Sequence, residues 1–165
     1  MEILNELKHE LEYEYKVTRK FFERFPDGKN DYKPHEKSTG LLHLAIHITE
    51  IFSWPKVILE TDNLDFGANG YQPLALNTKE GLVNALEENY HAGKTALESA
   101  TTEALDGNWS ISNADTVLAA WSKYGAIRHA LNQITHHRAQ LGIYYRLLNI
   151  PLPASYGPSA DEQSF

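Results

Sequence analysis

Eight histidines and no cysteine set the chemistry open to this chain. His43 and His47 are four residues apart, which puts both on one face of a helix. His136 and His137 are adjacent, and neighbours on a helix point about 100° apart, so they address different surroundings. His137 lies three residues after Ile134 and four before Leu141, which turns it inward. Gln133 is four residues before His137, so the two side chains rise from the same face. Imidazole suits Zn, Ni, Cu or Fe, and a divalent ion in a helical core takes ligands from facing helices. His47 and His137 could supply two. A histidine beside an apolar stripe also serves as a hydrogen-bonded boundary residue, and spacing alone leaves both roles open.

Other chemistries are excluded more firmly. Without cysteine there are no disulfides, thiolate ligands or cysteine nucleophile. No G-x-S-x-G elbow and no H-E-x-x-H pair occur, and Phe66-Gly67-Ala68-Asn69-Gly70 does not open a helix in the phosphate-binding pattern. Fifteen Lys and Arg against 22 Asp and Glu give a net charge of −7, which argues against nucleic acid and anionic membrane surfaces as partners. No apolar run approaches the roughly 18–20 residues of a membrane span. The opening MEILNELKHELEYEYK has no apolar signal core. A reducing, cytoplasmic setting is the expectation.

The elements that must position these residues are helical. One domain, 1–165, accounts for the length. Periodicity predicts a first helix from about Glu2 to Phe25, closed by Pro26-Asp27-Gly28. Glu14 falls on its buried stripe, either at the edge with its head in water or facing a polar cavity. A second helix is predicted from about Ser38 to Glu60, capped by Ser38 or Thr39, with Pro55 kinking or dividing it. Thr61–Asn77 is a long unpatterned connection that can cross the bundle and leave the second and third helices parallel. The third helix is predicted from about Thr78 to Leu105, and the fourth from Asp115 or Thr116 to about Leu148. Pro151 and Pro153 stop the fourth, and 151–165 reads as a strap packed near the mouth of the histidine site, with Leu152 and Tyr156 as anchors. No segment alternates strictly, so no strand is predicted. The fold class is all-α, a four-helix bundle.

Three stretches resemble the DinB/YfiT-like superfamily: Asp31–Ser38 leading into Leu44–Ile51 and Trp54; His136-His137-Arg138-Ala139-Gln140-Leu141 with Tyr144–Leu147; and Ile150–Pro153 followed by Tyr156-Gly157-Pro158-Ser159-Ala160-Asp161-Glu162. The first helix, with Glu12, Glu14, Thr18 and Arg19, is similar too, so the resemblance covers nearly the whole chain. It implies a four-helix bundle with parallel middle helices and a metal site of three histidines, one from the second helix and two, four apart, from the fourth. Carried onto this chain, the positions are His47, Gln133 and His137. Gln133 departs from the pattern; an amide oxygen is a neutral, poorer donor than imidazole to borderline metals.

The resemblance implies two functions. One is a metal-dependent enzyme, a thiol S-transferase or hydrolase, in which Zn or Ni activates a low-molecular-weight thiol or a water. Glu14 and Tyr144 are then the pocket candidates, as base or hydrogen-bond donor, and the partner is a small molecule. The other is a non-enzymatic bundle with a degenerate metal site, binding a small ligand or acting in stress response. A homodimer is implied in both.

Overall fold

The computed structural model describes residues 2–67, 72 and 74–163. Among these the chain forms five helices, one 3-10 helix and three strands. Helix α1 (Ile3–Glu23) buries Leu4, Leu7, Leu11, Phe21 and Phe22, the apolar stripe its periodicity predicts. The predicted second helix is divided into α2 (Leu41–Ile51) and α3 (Trp54–Glu60). Pro55 stands in the first turn of α3, where its missing N–H costs nothing; within an unbroken helix it would remove a bond and clash with the preceding turn. Ser38 and Thr39 do not cap α2, whose N-cap is Gly40 without a side-chain bond. Helix α4 (Lys79–Ser99) is capped by Thr78, whose Oγ1 accepts from the Gly81 N–H at 3.1 Å. It stops short of Leu105, which falls in the 3-10 helix Thr102–Asp106.

The expectation of no strands is overturned. Strands β1 (Asn63–Asp65), β2 (Asn108–Asn113) and β3 (Thr116–Ser122) form one sheet in the order β1-β2-β3. β1 pairs parallel with β2, and β2 pairs antiparallel with β3. Helix α5 therefore runs from Lys123 to Leu147 rather than starting near Asp115. The Ser122 hydroxyl oxygen caps it, accepting from the Gly125 N–H at 3.1 Å. Two features hide the strands in the sequence. Leu118, Ala119 and Ala120 have helical preference, which is weak against the pairing energy of a ladder. A register irregularity between Ile111 and Ser112 breaks the alternation of β2.

Contacts at both ends of α2 fix the direction of α4. Asn30, whose carbonyl accepts from Leu42 N–H at 3.0 Å, also donates its side-chain amide to the Asn77 carbonyl at 3.0 Å. The starts of α2 and α4 are thus adjacent. At the other end, Gly93 lies against the backbone of Phe52, just beyond α2. Both helices advance in the same direction, as the long connection allows. Residues 68–71 and 73 of that connection lie outside the described residues.

The strap packs on α1 and α5. Arg24 donates to the Pro151 carbonyl at 3.2 Å, Tyr13 to the Ser155 carbonyl at 2.6 Å, and Arg146 to Asp161 at 2.6 Å. Leu152 is partly buried, whereas the Tyr156 ring is 60% exposed and anchors through its hydroxyl. The strap does not sit at the histidine site; none of its described residues lines that cavity.

A Cβ on Gly93 would fall 2.3 Å from the Phe52 carbonyl oxygen, a backbone atom that cannot turn aside. Gly93→Ala should therefore destabilise the protein by about 1–3 kcal/mol, as overpacking does. Urea unfolding should show this as a lower midpoint at unchanged slope.

Candidate metal centre

Helices α2, α3 and α5 and the sheet enclose a cavity of about 900 Å³. His43, His47, Gln133 and His137 all line it. Its lining is mixed: Leu44, Trp54, Val57, Leu64, Phe66 and Ile111 are apolar, and the polar side chains include Glu50 and Asp65. His47 comes from α2 and His137 from α5, and their rings meet edge to face with centroids 4.7 Å apart at 76°. His43, one turn before His47, is exposed at the rim. His136 is exposed and does not line the cavity.

Burial, then proximity to His137 and His43, lowers the His47 pKa from its ordinary value to about 4. Burial lowers that of His137 as well. Both rings are thus neutral near pH 7 and keep a lone pair. The His137 Nδ1 lies 3.2 Å from Gln140 Oε1, which can only accept, so Nδ1 carries the proton and Nε2 holds the lone pair. The Gln140 amide nitrogen in turn donates to His136 Nε2 at 3.1 Å. Fixing the far nitrogen in this way orients a ligating imidazole.

Glu14 and Tyr144 do not line the cavity. Glu14 is fully buried on the opposite side of α5, where its carboxylate pairs with Arg138 and accepts from the Tyr156 hydroxyl. It has neither its head in water nor a place at the histidine site. Arg138 also donates to the Thr18 hydroxyl at 3.1 Å. Tyr144 is buried and donates to the Thr39 carbonyl at 3.0 Å, edge-on to Tyr32. Its proton is committed to backbone.

Sequence reasoning missed His129. It lines the cavity four residues before Gln133 and eight before His137, in the same helical row. Its ring stacks on Trp121 of β3, with centroids 4.7 Å apart, and Trp121 faces Trp109 across the β2–β3 ladder. Its Nε2 lies 3.3 Å from the Gln133 amide nitrogen, and burial lowers its pKa. The four-residue spacing was the available signal; the missed strand hid the stacking partner.

The family model for DinB matches residues 1–164. The chain belongs to the DinB family. Solved structures share the fold at low identity. A DinB-like protein from Bacillus subtilis is 20% identical, with a TM-score of 0.70 over 96% of this chain and 99% of that one. A protein described as a member of the DinB family from Exiguobacterium sibiricum is 17% identical, with a TM-score of 0.67 over 90% and 93%. A DinB-like protein from Bacillus cereus is 17% identical, with a TM-score of 0.66 over 87% and 91%. No curated protein matches the chain.

His47, Gln133 and His137, the positions that the sequence resemblance assigns to a metal, line one cavity in this chain, with the His47 and His137 rings in contact. Among the described residues no group of three His, Cys, Asp or Glu side chains could hold a metal. The donors that His47, Gln133 and His137 would offer a divalent ion are two imidazoles and one amide oxygen, a weaker set for a borderline metal than three imidazoles. Among the described residues no helix of this DinB protein is long and apolar enough to cross a membrane.

Two predictions come from these environments. Glu14→Gln keeps the shape of the side chain but leaves Arg138 buried without its counter-charge. It should cost about 3–5 kcal/mol of stability, read by chemical denaturation. In the metal-free protein, the folded-state pKa of His47 lies below its unfolded value. Its contribution is thus intact above about pH 6.5 and lost as pH falls through the window down to about 4, because the unfolded chain takes up a proton that the folded one refuses. Denaturation at stepped pH should show this decline, and His47→Gln should flatten it.

Proposed function

We propose that this DinB protein is a metal-dependent enzyme that binds a divalent ion, Zn or Ni, through His47, Gln133 and His137, and acts on a small molecule held in the adjoining cavity. The observation that carries the reading is the ring contact of His47 and His137 in a cavity shared with Gln133. When bound, the ion supplies Lewis acidity, lowering the pKa of a coordinated thiol or water, so the reaction class is thiol S-transfer or hydrolysis. A thiol would have to come from a low-molecular-weight cofactor, since the chain has no cysteine. The chain's own residues do the positioning. Gln140 keeps the His137 proton on Nδ1, and Leu44, Trp54 and Phe66 hold the apolar part of a substrate and exclude water. A homodimer is part of this reading; Ile143 and Leu147, exposed on α5, offer apolar surface for it.

One observation favours a second reading. The position of the third histidine is glutamine, and no three-residue His/Cys/Asp/Glu cluster exists among the described residues. A non-enzymatic DinB protein that keeps the cavity for a small ligand would carry that substitution without loss.

Calorimetric titration with Zn²⁺ separates them. The parent should bind weakly, and Gln133→His should bind about tenfold or more tightly, because an imidazole replaces a neutral amide. His47→Ala and His137→Ala should each abolish binding in that variant, and His136→Ala should change little. Equal affinity of the parent and Gln133→His would remove Gln133 from the ligand set.

A further inference from the structure

An amide ligand has a polarity that an imidazole lacks. Its Oε1 can bind a cation, whereas its Nε2 only donates hydrogen bonds, and a half-turn of the side chain exchanges the two. We propose that His129 is a positioning residue that holds the Gln133 amide the right way round, taking its Nε2 so that Oε1 is the atom offered to a divalent ion. The inference rests on the ligand set proposed above.

The geometry supports this in three steps. The Gln133 Nε2 lies 3.3 Å from His129 Nε2. An amide nitrogen cannot accept, so the histidine nitrogen accepts, and the ring must be the tautomer with its proton on Nδ1. The opposite tautomer would donate to Oε1 and leave the NH₂ group, which cannot ligate, as the free end of the amide. The His129 ring is itself held by the Trp121 face, at 4.7 Å and 27°, and Trp121 is fixed opposite Trp109 by the β2–β3 register. His137 is treated alike, with Gln140 engaging the nitrogen that does not ligate. Each of the two α5 positions in the ligand set thus has a partner that settles which of its atoms is presented.

Zn²⁺ affinity, measured by competition with a chromophoric chelator, tests the proposal in two variants beside the parent. His129→Phe keeps a ring for Trp121 but removes the acceptor, and should weaken Zn²⁺ binding about tenfold or more, the usual loss when an orienting partner of a metal ligand is removed. His129→Gln, whose own Oε1 can accept from Gln133, should recover most of that loss. Unchanged affinity in His129→Phe, or a loss that His129→Gln does not recover, would overturn the proposal. Failure of the underlying ligand set is distinct: Zn²⁺ binding would then survive His47→Ala and His137→Ala. Long-range ¹⁵N–¹H spectra of the metal-free protein provide a readout independent of the ion. They should show the His129 proton on Nδ1, and a proton on Nε2 would sink the idea whatever the affinities.

Discussion

The buried pair of Glu14 and Arg138 fixes the rotation of α5, and the candidate site depends on that rotation. Both side chains are almost wholly removed from solvent, at 0% and 3% exposure. Separating two such charges is strongly unfavourable in a medium of low dielectric. The helix cannot turn about its axis without doing so. Arg138 is held toward α1 and the strap by Glu14, Thr18 and, through Glu14, Tyr156. His137, one residue earlier and about 100° around the helix, is thereby held toward α2 and His47. The motif His137-Arg138 is a two-sided device, one side electrostatic and dry, the other presenting an uncharged ring to a cavity.

The second support comes from the sheet. Trp54, Trp109, Trp121 and His129 form a run of ring contacts with centroids 6.2, 6.4 and 4.7 Å apart, passing from α3 through both strands of the hairpin to α5. The Trp109 indole N–H donates to the Thr61 hydroxyl at 3.1 Å, which ties the run to the end of α3. Large rings with few torsions fill space at little entropic cost and fix distance well. The small sheet thus sets the width of the cavity on the side where the bundle alone would leave it open.

Legibility in the sequence followed the range of the interactions involved. The helices were readable because their stripes repeat every three or four residues and because Pro26, Pro55 and Pro151 act on the adjacent backbone. His47, Gln133 and His137 were readable because a helix converts spacing into facing. The inward turn of Glu14 was visible in the stripe, but its partner was not. Arg138 lies 124 residues away, and no local signal says which of two buried faces a carboxylate will meet. The hairpin was illegible for a similar reason. Its second strand borrows helical residues, and only the ladder with Trp109 and Ile111 makes it a strand. With the hairpin went the stacking that gives His129 its place.

The parallel pairing of β1 with β2 has a consequence for how the cavity comes into being. Asp65, at the end of β1, accepts through one oxygen from the N–H groups of Gly67 at 2.8 Å and Ala114 at 2.9 Å. Leu64, Asp65 and Phe66 line the cavity, so its rim is closed by a bond spanning 49 positions, with all of α4 in between. Such closure follows loop ordering and is slow compared with helix formation. The helices and the hairpin can assemble from neighbours in the chain; the rim cannot. Closure of the cavity rim therefore belongs to the long-range part of folding, together with the Glu14–Arg138 pair, which spans 124 positions.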